Sequence, residues 1–293
     1  MKPPSFDYTD PGSVPEVVSL LAQHDGEAKI IAGGQSLMPL LNMRFARPTL
    51  LIDLRKITEL DYIREANGAI SIGATTIQRE VERSEVVARH QPMLHTAMQF
   101  VAHPQIRNRG TVGGSLAHAD PAAELPTIAV ALDAEMQVAG PGGTRVVPAT
   151  DFFVTYLTTS MEPAEMLTEV RFPARPGGRS GWSFQEIARR HGDYAMAGIA
   201  VNLTLGDGDR CTDARIVLFG VGATPVRARG AEQALTGERV DATLTAHVGS
   251  AVGDEIDEPL TDVHATAEYR RHLACVLTRR ALGEALARAQ GKG

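Results

Sequence analysis

A chain of 293 residues has room for about two domains at the usual ~100–200 residues each, and its 43% hydrophobic and 22% charged residues are ordinary globular proportions. With 35 acidic against 29 basic residues, the net charge of −6 argues against a nucleic-acid-binding protein. The longest apolar run, residues 128–132, is far too short to span a bilayer, and residues 1–7 carry no hydrophobic signal core, so a cytoplasmic protein without a transmembrane segment is expected.

In chain order, the first helix is expected over residues 13–25. Ser13-Val14-Pro15-Glu16 reads as a capping box, Val17, Leu20, Leu21 and His24 follow at i, i+3, i+4 and i+7, and Gly26 supplies the stop. A short apolar strand, Lys29-Ile30-Ile31, runs directly into Ala32-Gly33-Gly34-Gln35-Ser36-Leu37. Residues 50–54 and 69–73 read as further strands, the second preceded by an Asn67-Gly68 turn. A helix start is expected at Thr75-Thr76-Ile77-Gln78, and another helix over 91–101.

Residues 107–115 form a polar, glycine-rich stretch, and behind it Asp120-Pro121 reads as the N-cap and first turn of a helix reaching Leu132. Gly140-Pro141-Gly142-Gly143 joins two strand-like segments. Residues 173–178 are the strongest breaker cluster, which divides the chain into expected units 1–176 and 177–293. Beyond it, strands over 198–205 and 214–222 precede an all-helical tail, whose last helix carries Tyr269, Leu273, Val276 and Leu277 on one stripe. No internal repeat is visible. The pattern is α+β twice over, the second unit being smaller and ending in helices.

Cysteine and histidine usage narrows the chemistry. Cys211 and Cys275 stand far apart with no CxxC spacing, and the nine histidines form no HxxxH or HxH pair. A structural zinc or an iron–sulfur cluster commonly needs four ligands, mostly cysteine, so no metal site is expected on this chain. Redox chemistry, if present, must borrow an organic cofactor.

The informative features are residues 32–37 and 111–115, each combining consecutive glycines with hydroxyl residues. Gly-Gly allows positive φ and lets a ligand approach without a Cβ in the way. Successive N–H groups can then converge on anionic phosphate oxygens, and Ser36, Thr111 and Ser115 can add hydroxyl donors. Neither loop matches GxxxxGK(S/T) or GxGxxG, so neither is a P-loop or a Rossmann fingerprint. A single GG pair reads as a tight turn; two such loops on one chain suit a pyrophosphate gripped from both sides.

At these residues a resemblance becomes specific. Ile31-Ala32-Gly33-Gly34-Gln35-Ser36-Leu37, together with Ile106-Arg107-Asn108-Arg109-Gly110-Thr111-Val112-Gly113-Gly114-Ser115-Leu116, resembles the FAD-binding medium subunit of the molybdenum hydroxylases, the group of carbon monoxide dehydrogenase and xanthine dehydrogenase. A third match, Phe184-Gln185-Glu186-Ile187-Ala188-Arg189-Arg190-His191-Gly192-Asp193-Tyr194-Ala195, is similar to the signature that opens the family's C-terminal domain. The resemblance covers nearly the whole chain in order.

The resemblance implies an N-terminal FAD-binding domain of the p-cresol methylhydroxylase and vanillyl-alcohol oxidase type, followed by a smaller α+β domain of antiparallel sheet and helices. It assigns FAD to Ile31, Ala32, Gly33, Gly34, Gln35, Ser36 and Leu37, and to Thr111, Val112, Gly113, Gly114 and Ser115. Glu124 stands where the xanthine dehydrogenase branch has an Asp that contacts the ribose, and Tyr194 where relatives place an aromatic against the isoalloxazine. Leu167 and Gln185 complete the implied set, Gln185 replacing a lysine common in the family. Gln35 stands where covalent relatives carry the histidine that links the flavin, so noncovalent FAD is expected. By resemblance, molybdopterin and 2Fe–2S clusters belong to a large and a small partner subunit, in a dimer of heterotrimers, with electrons leaving through this FAD to an external acceptor. No catalytic acid, base or nucleophile is expected on this chain.

Other polar residues have simpler readings. Asp120 is expected to cap a helix, His118 to line a loop and His103 to be structural. Arg107 and Arg109 could meet phosphates or a partner, or could be solvated loop charges; the pairs Arg189-Arg190 and Arg279-Arg280 are expected at the surface. Two further functions remain open: a self-sufficient flavin oxidoreductase of the same fold, and a scaffold subunit that has lost FAD. The first would need a proton-transfer residue over the flavin, and the second is opposed by intact glycine loops.

Overall fold

The computed structural model of the chain describes residues 2–175 and 177–292. Pro176, at the expected boundary, lies outside the described residues, as do Met1 and Gly293. The first layer is a small parallel sheet in which Asp7–Thr9 and Ala28–Ile31 flank Leu50–Asp53. All four residues of that central strand are buried, as a strand covered on both faces requires. The helix Val14–Gln23 packs here through Val17, Val18 and Leu21. Its expected capping box is half formed. The Ser13 side chain makes no cap bond, and Glu16 instead accepts from the Gly12 N–H at 2.8 Å.

A five-stranded antiparallel sheet follows, in the order Ile63–Ala66, Ala69–Gly73, Met166–Phe172, Glu135–Gly140, Gly143–Pro148. Asn67 and Gly68 turn its first hairpin with φ of 54° and 81°, the two-residue geometry that matches strand twist. The chain between residues 73 and 135 returns as helices, among them Gln78–Arg83, Pro92–Ala97, Val112–His118 and Glu124–Ala131. Ile70, Ile72, Met136, Val170 and Phe172 of the sheet pack with Val112, Leu116, Leu125 and Ile128 of these helices in one core.

Two local expectations are corrected. The glycine-rich stretch is helical from Val112 onward, because Thr111 caps it with a hydroxyl accepting from the Gly114 N–H at 3.0 Å. The next helix begins at Glu124 rather than Asp120: Ala119 ends the preceding helix at a φ of 52°, and the Asp120 carboxylate accepts from the Ala122 N–H at 2.8 Å in an intervening turn.

The second half is a four-stranded antiparallel sheet, Arg179–Ile187, Ala197–Leu205, Cys211–Phe219 and Val226–Arg227 in that order. One face, through Ile199, Val201, Ile216 and Leu218, packs against the 23-residue helix Ala267–Ala289. The other meets the first half. Phe184 lies 5.2 Å from Phe100 and 5.6 Å from Phe219, ring to ring, and Ala200 and Val217 join the same core. No helix among the described residues is long and apolar enough to cross a membrane.

Candidate cofactor site

The strand Ala28–Ile31 ends where the chain must turn into the helix Leu37–Asn42. Gly34 makes that turn with a φ of 71°, a region that disfavours side chains. Gln35 braces it, its Nε2 donating to the Gly33 carbonyl at 2.9 Å. Among the described residues, the backbone N–H groups of Gly33, Gly34, Gln35, Ser36 and Leu37 donate to no backbone carbonyl, and no side chain caps the helix. Successive free amides around one turn form a concavity suited to an anion.

The second glycine pair is built differently. Val112 N–H donates to Thr76 at 2.9 Å, Gly113 to Ala74 at 3.0 Å, and Ser115 to the Thr111 carbonyl at 3.1 Å. With Gly114 bound to the Thr111 hydroxyl, the amides of residues 112–115 are all engaged. What this turn offers is space and hydroxyls. A Cβ on Gly113 would sit 2.6 Å from the Ala74 carbonyl oxygen, so only glycine lets the helix start lie this close to the 74–76 segment. The two turns also touch each other: a Cβ on Gly33 would overlap the Arg109 carbonyl and come within 2.8 Å of the Gly110 Cα.

Between them lies a cavity of about 850 Å³. It is lined by Ile31, Ala32, Gly33, Gly34, Gln35, Ser36 and Leu37 on one side, and by Thr111, Gly113, Gly114 and Ser115 on the other, with Glu124, Leu167 and Tyr194 further along. Two expected residues stand outside that lining. Val112 is fully buried in the core behind the glycine turn. Gln185 faces away because alternation along Arg179–Ile187 sends it to the last helix, where its Nε2 donates to Glu284 at 2.9 Å and to Ser183 at 3.3 Å.

Tyr194 sits in the connection between Arg179–Ile187 and Ala197–Leu205 and is 66% exposed at the cavity rim. Its loop is pinned to the first half: His191 stacks on Phe100 with centroids 6.3 Å apart, and Gly192, at a φ of 87°, leaves no room for a Cβ beside His103. Although the ring is largely exposed, the tyrosine pKa is raised above its ordinary value, by desolvation first and then by the carboxylates of Asp120 and Glu124.

Burial pushes the Glu124 carboxyl up to about 7, with Asp120 adding to the shift. Burial likewise pushes Glu186 up to about 8, and the charge of Glu124 raises it further. His118, also in the lining, has its pKa lowered by burial against the opposing pull of Asp120. Glu124 in the lining and its neighbour Glu186, which is not part of it, therefore both titrate well above the ordinary glutamate range.

Arg107 is neither a solvated loop charge nor free to meet a phosphate or a partner. It is 5% exposed and forms a bidentate pair with Glu82 at 2.9 and 3.1 Å, while its Nη1 donates to the Val101 and Ala102 carbonyls. Arg109, Arg189 and Arg190 are exposed. Sequence reasoning passed over Gln78 and the hairpin residues Leu157, Thr158 and Thr159, which also line the cavity. The hairpin strands span only two and three residues, too short for an alternation signal.

A cavity of this size with free amides, uncommitted serine hydroxyls and glycine-only approaches fits a diphosphate-bearing dinucleotide. Comparison with known proteins points the same way. The family described as the FAD binding domain in molybdopterin dehydrogenase matches residues 4–175, and the CO dehydrogenase flavoprotein C-terminal domain matches residues 182–285. The chain is 43% identical to the 6-hydroxypseudooxynicotine dehydrogenase complex subunit alpha of Paenarthrobacter nicotinovorans, covering 99% of this chain and 97% of that protein. It is 38% identical to the carbon monoxide dehydrogenase medium chain of Hydrogenophaga pseudoflava, over 98% and 99% of the two chains. A solved structure of carbon monoxide dehydrogenase from Hydrogenophaga pseudoflava superposes with a TM-score of 0.94 at 39% identity, covering 98% of this chain and 99% of that one.

Proposed function

Because this chain belongs to the FAD-binding medium subunits of the molybdenum hydroxylases, an oxidoreductase family, we propose that it serves as the electron outlet of a multi-subunit complex. When bound, FAD supplies the redox chemistry, linking 2Fe–2S clusters of a small subunit, fed by a molybdopterin centre in a large one, to an external acceptor. The observation that carries this reading is the run of unengaged amides at residues 33–37, set across one cavity from the second glycine turn.

In this reading the loop amides and the hydroxyls of Ser36 and Ser115 hold the diphosphate. Ile31, Leu37 and Leu167 supply apolar wall, Glu124 accepts from a ribose hydroxyl, and Tyr194 covers the isoalloxazine and excludes water. Val112 acts from behind by fixing the glycine turn, and Gln185 acts only through Ser183 and Glu284. Gln35 cannot form the histidyl link of covalent relatives, and its amide is occupied by the loop it braces, which supports noncovalent FAD. The division into units 1–176 and 177–293 belongs to the same reading, supported by the change of sheet on either side of residues 173–178. A cytoplasmic dimer of heterotrimers is the assembly we assign.

The test uses the purified full chain. Acid precipitation should release all yellow colour into the supernatant, and the chain should contain neither iron nor molybdenum and turn over no hydroxylase substrate alone. Colour retained in the pellet would overturn noncovalent binding. Steady substrate-dependent bleaching by the metal-free chain would overturn the subunit role in favour of a self-sufficient flavoenzyme.

A further inference from the structure

Among the described residues, Gln78 is the buried polar side chain of the cavity lining that the fold leaves unanswered. It is 4% exposed, yet its Oε1 is buried without a hydrogen-bond partner among the described residues. Leaving a buried amide oxygen unsatisfied forfeits its hydration without return, a cost that calls for a reason. A leucine would fill the same space without that penalty.

Its position is fixed from both sides. The Gln78 N–H donates to the Gly110 carbonyl at 2.8 Å, just before the Ile77–Thr111 bridge that ties this segment to the second glycine turn. Gly110 accommodates the side chain, because a Cβ there would lie 2.7 Å from Gln78 Oε1. Gly110 is also the residue against which Gly33 of the first turn packs. The amide therefore stands where the two glycine turns meet, and it lines the cavity they enclose.

We propose that Gln78 is an additional cofactor-binding residue, its side-chain amide donating to an oxygen of the FAD diphosphate at the junction of the two glycine turns. The chemistry matches the place. A diphosphate presents only acceptors, and Gln78 Nε2, which donates to no protein acceptor among the described residues and is not the buried atom of the amide, can be offered to it without moving the backbone. The second turn has no amide left to give between residues 112 and 115, and Gln78 supplies a neutral donor on that side. This inference rests on the assignment of the glycine turns to FAD.

The experiment is an equilibrium FAD titration of the full chain, read by flavin fluorescence, together with the melting temperature of the flavin-free chain, for wild type, Gln78→Leu and Gln78→Glu. Gln78→Leu should bind FAD about tenfold more weakly, while the flavin-free chain melts at or above the wild-type temperature because an unsatisfied amide is gone. Gln78→Glu should bind about a hundredfold more weakly, since a carboxylate faces the phosphates. Wild-type affinity in both variants, Gln78→Glu binding as well as Gln78→Leu, or a flavin-free Gln78→Leu that melts lower would overturn the proposal. Wild-type chain that binds no FAD would bring down the site assignment itself, a result these variants do not mimic.

Discussion

The two glycine turns look alike in sequence and behave oppositely in structure. Among the described residues, the amides of 33–37 donate to no backbone carbonyl, and the chain turns there through a single positive φ, at Gly34. Residues 112–115 have every amide engaged, by Thr76, Ala74 and the Thr111 cap, and their glycines serve close packing instead. Glycine pairs thus do two separable jobs here. One leaves a row of donors unengaged, and the other lets a helix start sit against a neighbouring backbone. A sequence motif records the absence of side chains but not which of these uses the fold makes of it.

Substitution should separate the two jobs. Gly113→Val drives a branched side chain into the Ala74 backbone, and we expect it to destabilise the chain by about 3 kcal/mol or more, with FAD lost as a consequence. Gly34→Val meets only side-chain atoms at 3.4 Å but must hold a φ of 71°. That strain costs about 1–2 kcal/mol, so the chain should stay folded while FAD binding is lost through displacement of the amides. Urea denaturation beside flavin content would distinguish them; equal stability losses would erase the contrast.

A pH measurement probes Glu124 of the cavity lining and its neighbour Glu186 without touching either turn. Glu124 and Glu186 have folded pKa values of about 7 and about 8, above the 4.5 of an unperturbed glutamate. The folded chain therefore holds protons that the unfolded chain releases, and stability should fall as pH rises from about 4.5 to about 8. Glu186→Gln removes one of these groups. It should be close to neutral at pH 5 and stabilising by about 1 kcal/mol or more at pH 8.5. A stability difference independent of pH would mean the carboxyl is ordinary.

The smallest expected effect on affinity belongs to Tyr194→Ala. If the turns hold the phosphate end, removing the rim aromatic should change FAD affinity by no more than about threefold while altering the flavin absorption envelope and its reactivity toward oxygen. Loss of affinity as large as that of Gly34→Val would relocate the main binding energy to the flavin ring.

Local patterns carried much of this architecture. The strand before Ala32, the Asn67-Gly68 hairpin and the apolar strand Ala69–Gly73 are written in short-range alternation and turn chemistry. The first turn was legible because it follows a strand end directly. The helix beginning at Val112 was not, since Gly113-Gly114 depresses helix propensity and its stability comes from Thr111 and from backbone contacts with residue 74. Arg107 was unreadable for another reason: its partner Glu82 is 25 residues away, and no local signal links them. Gln78 carried no local signal, because its burial beside Gly110 with an unpaired Oε1 is a product of the tertiary fold.

The cavity wall also has an order in time. Its cradle is contributed by residues 31–37 and 110–115, whereas the rim tyrosine arrives at residue 194 on a sheet that packs against the helix Ala267–Ala289. On a ribosome, the glycine turns emerge well before the second sheet, whose connecting loop carries Tyr194, can be completed. A nascent chain therefore presents both glycine turns before the residues that complete the rim have been made.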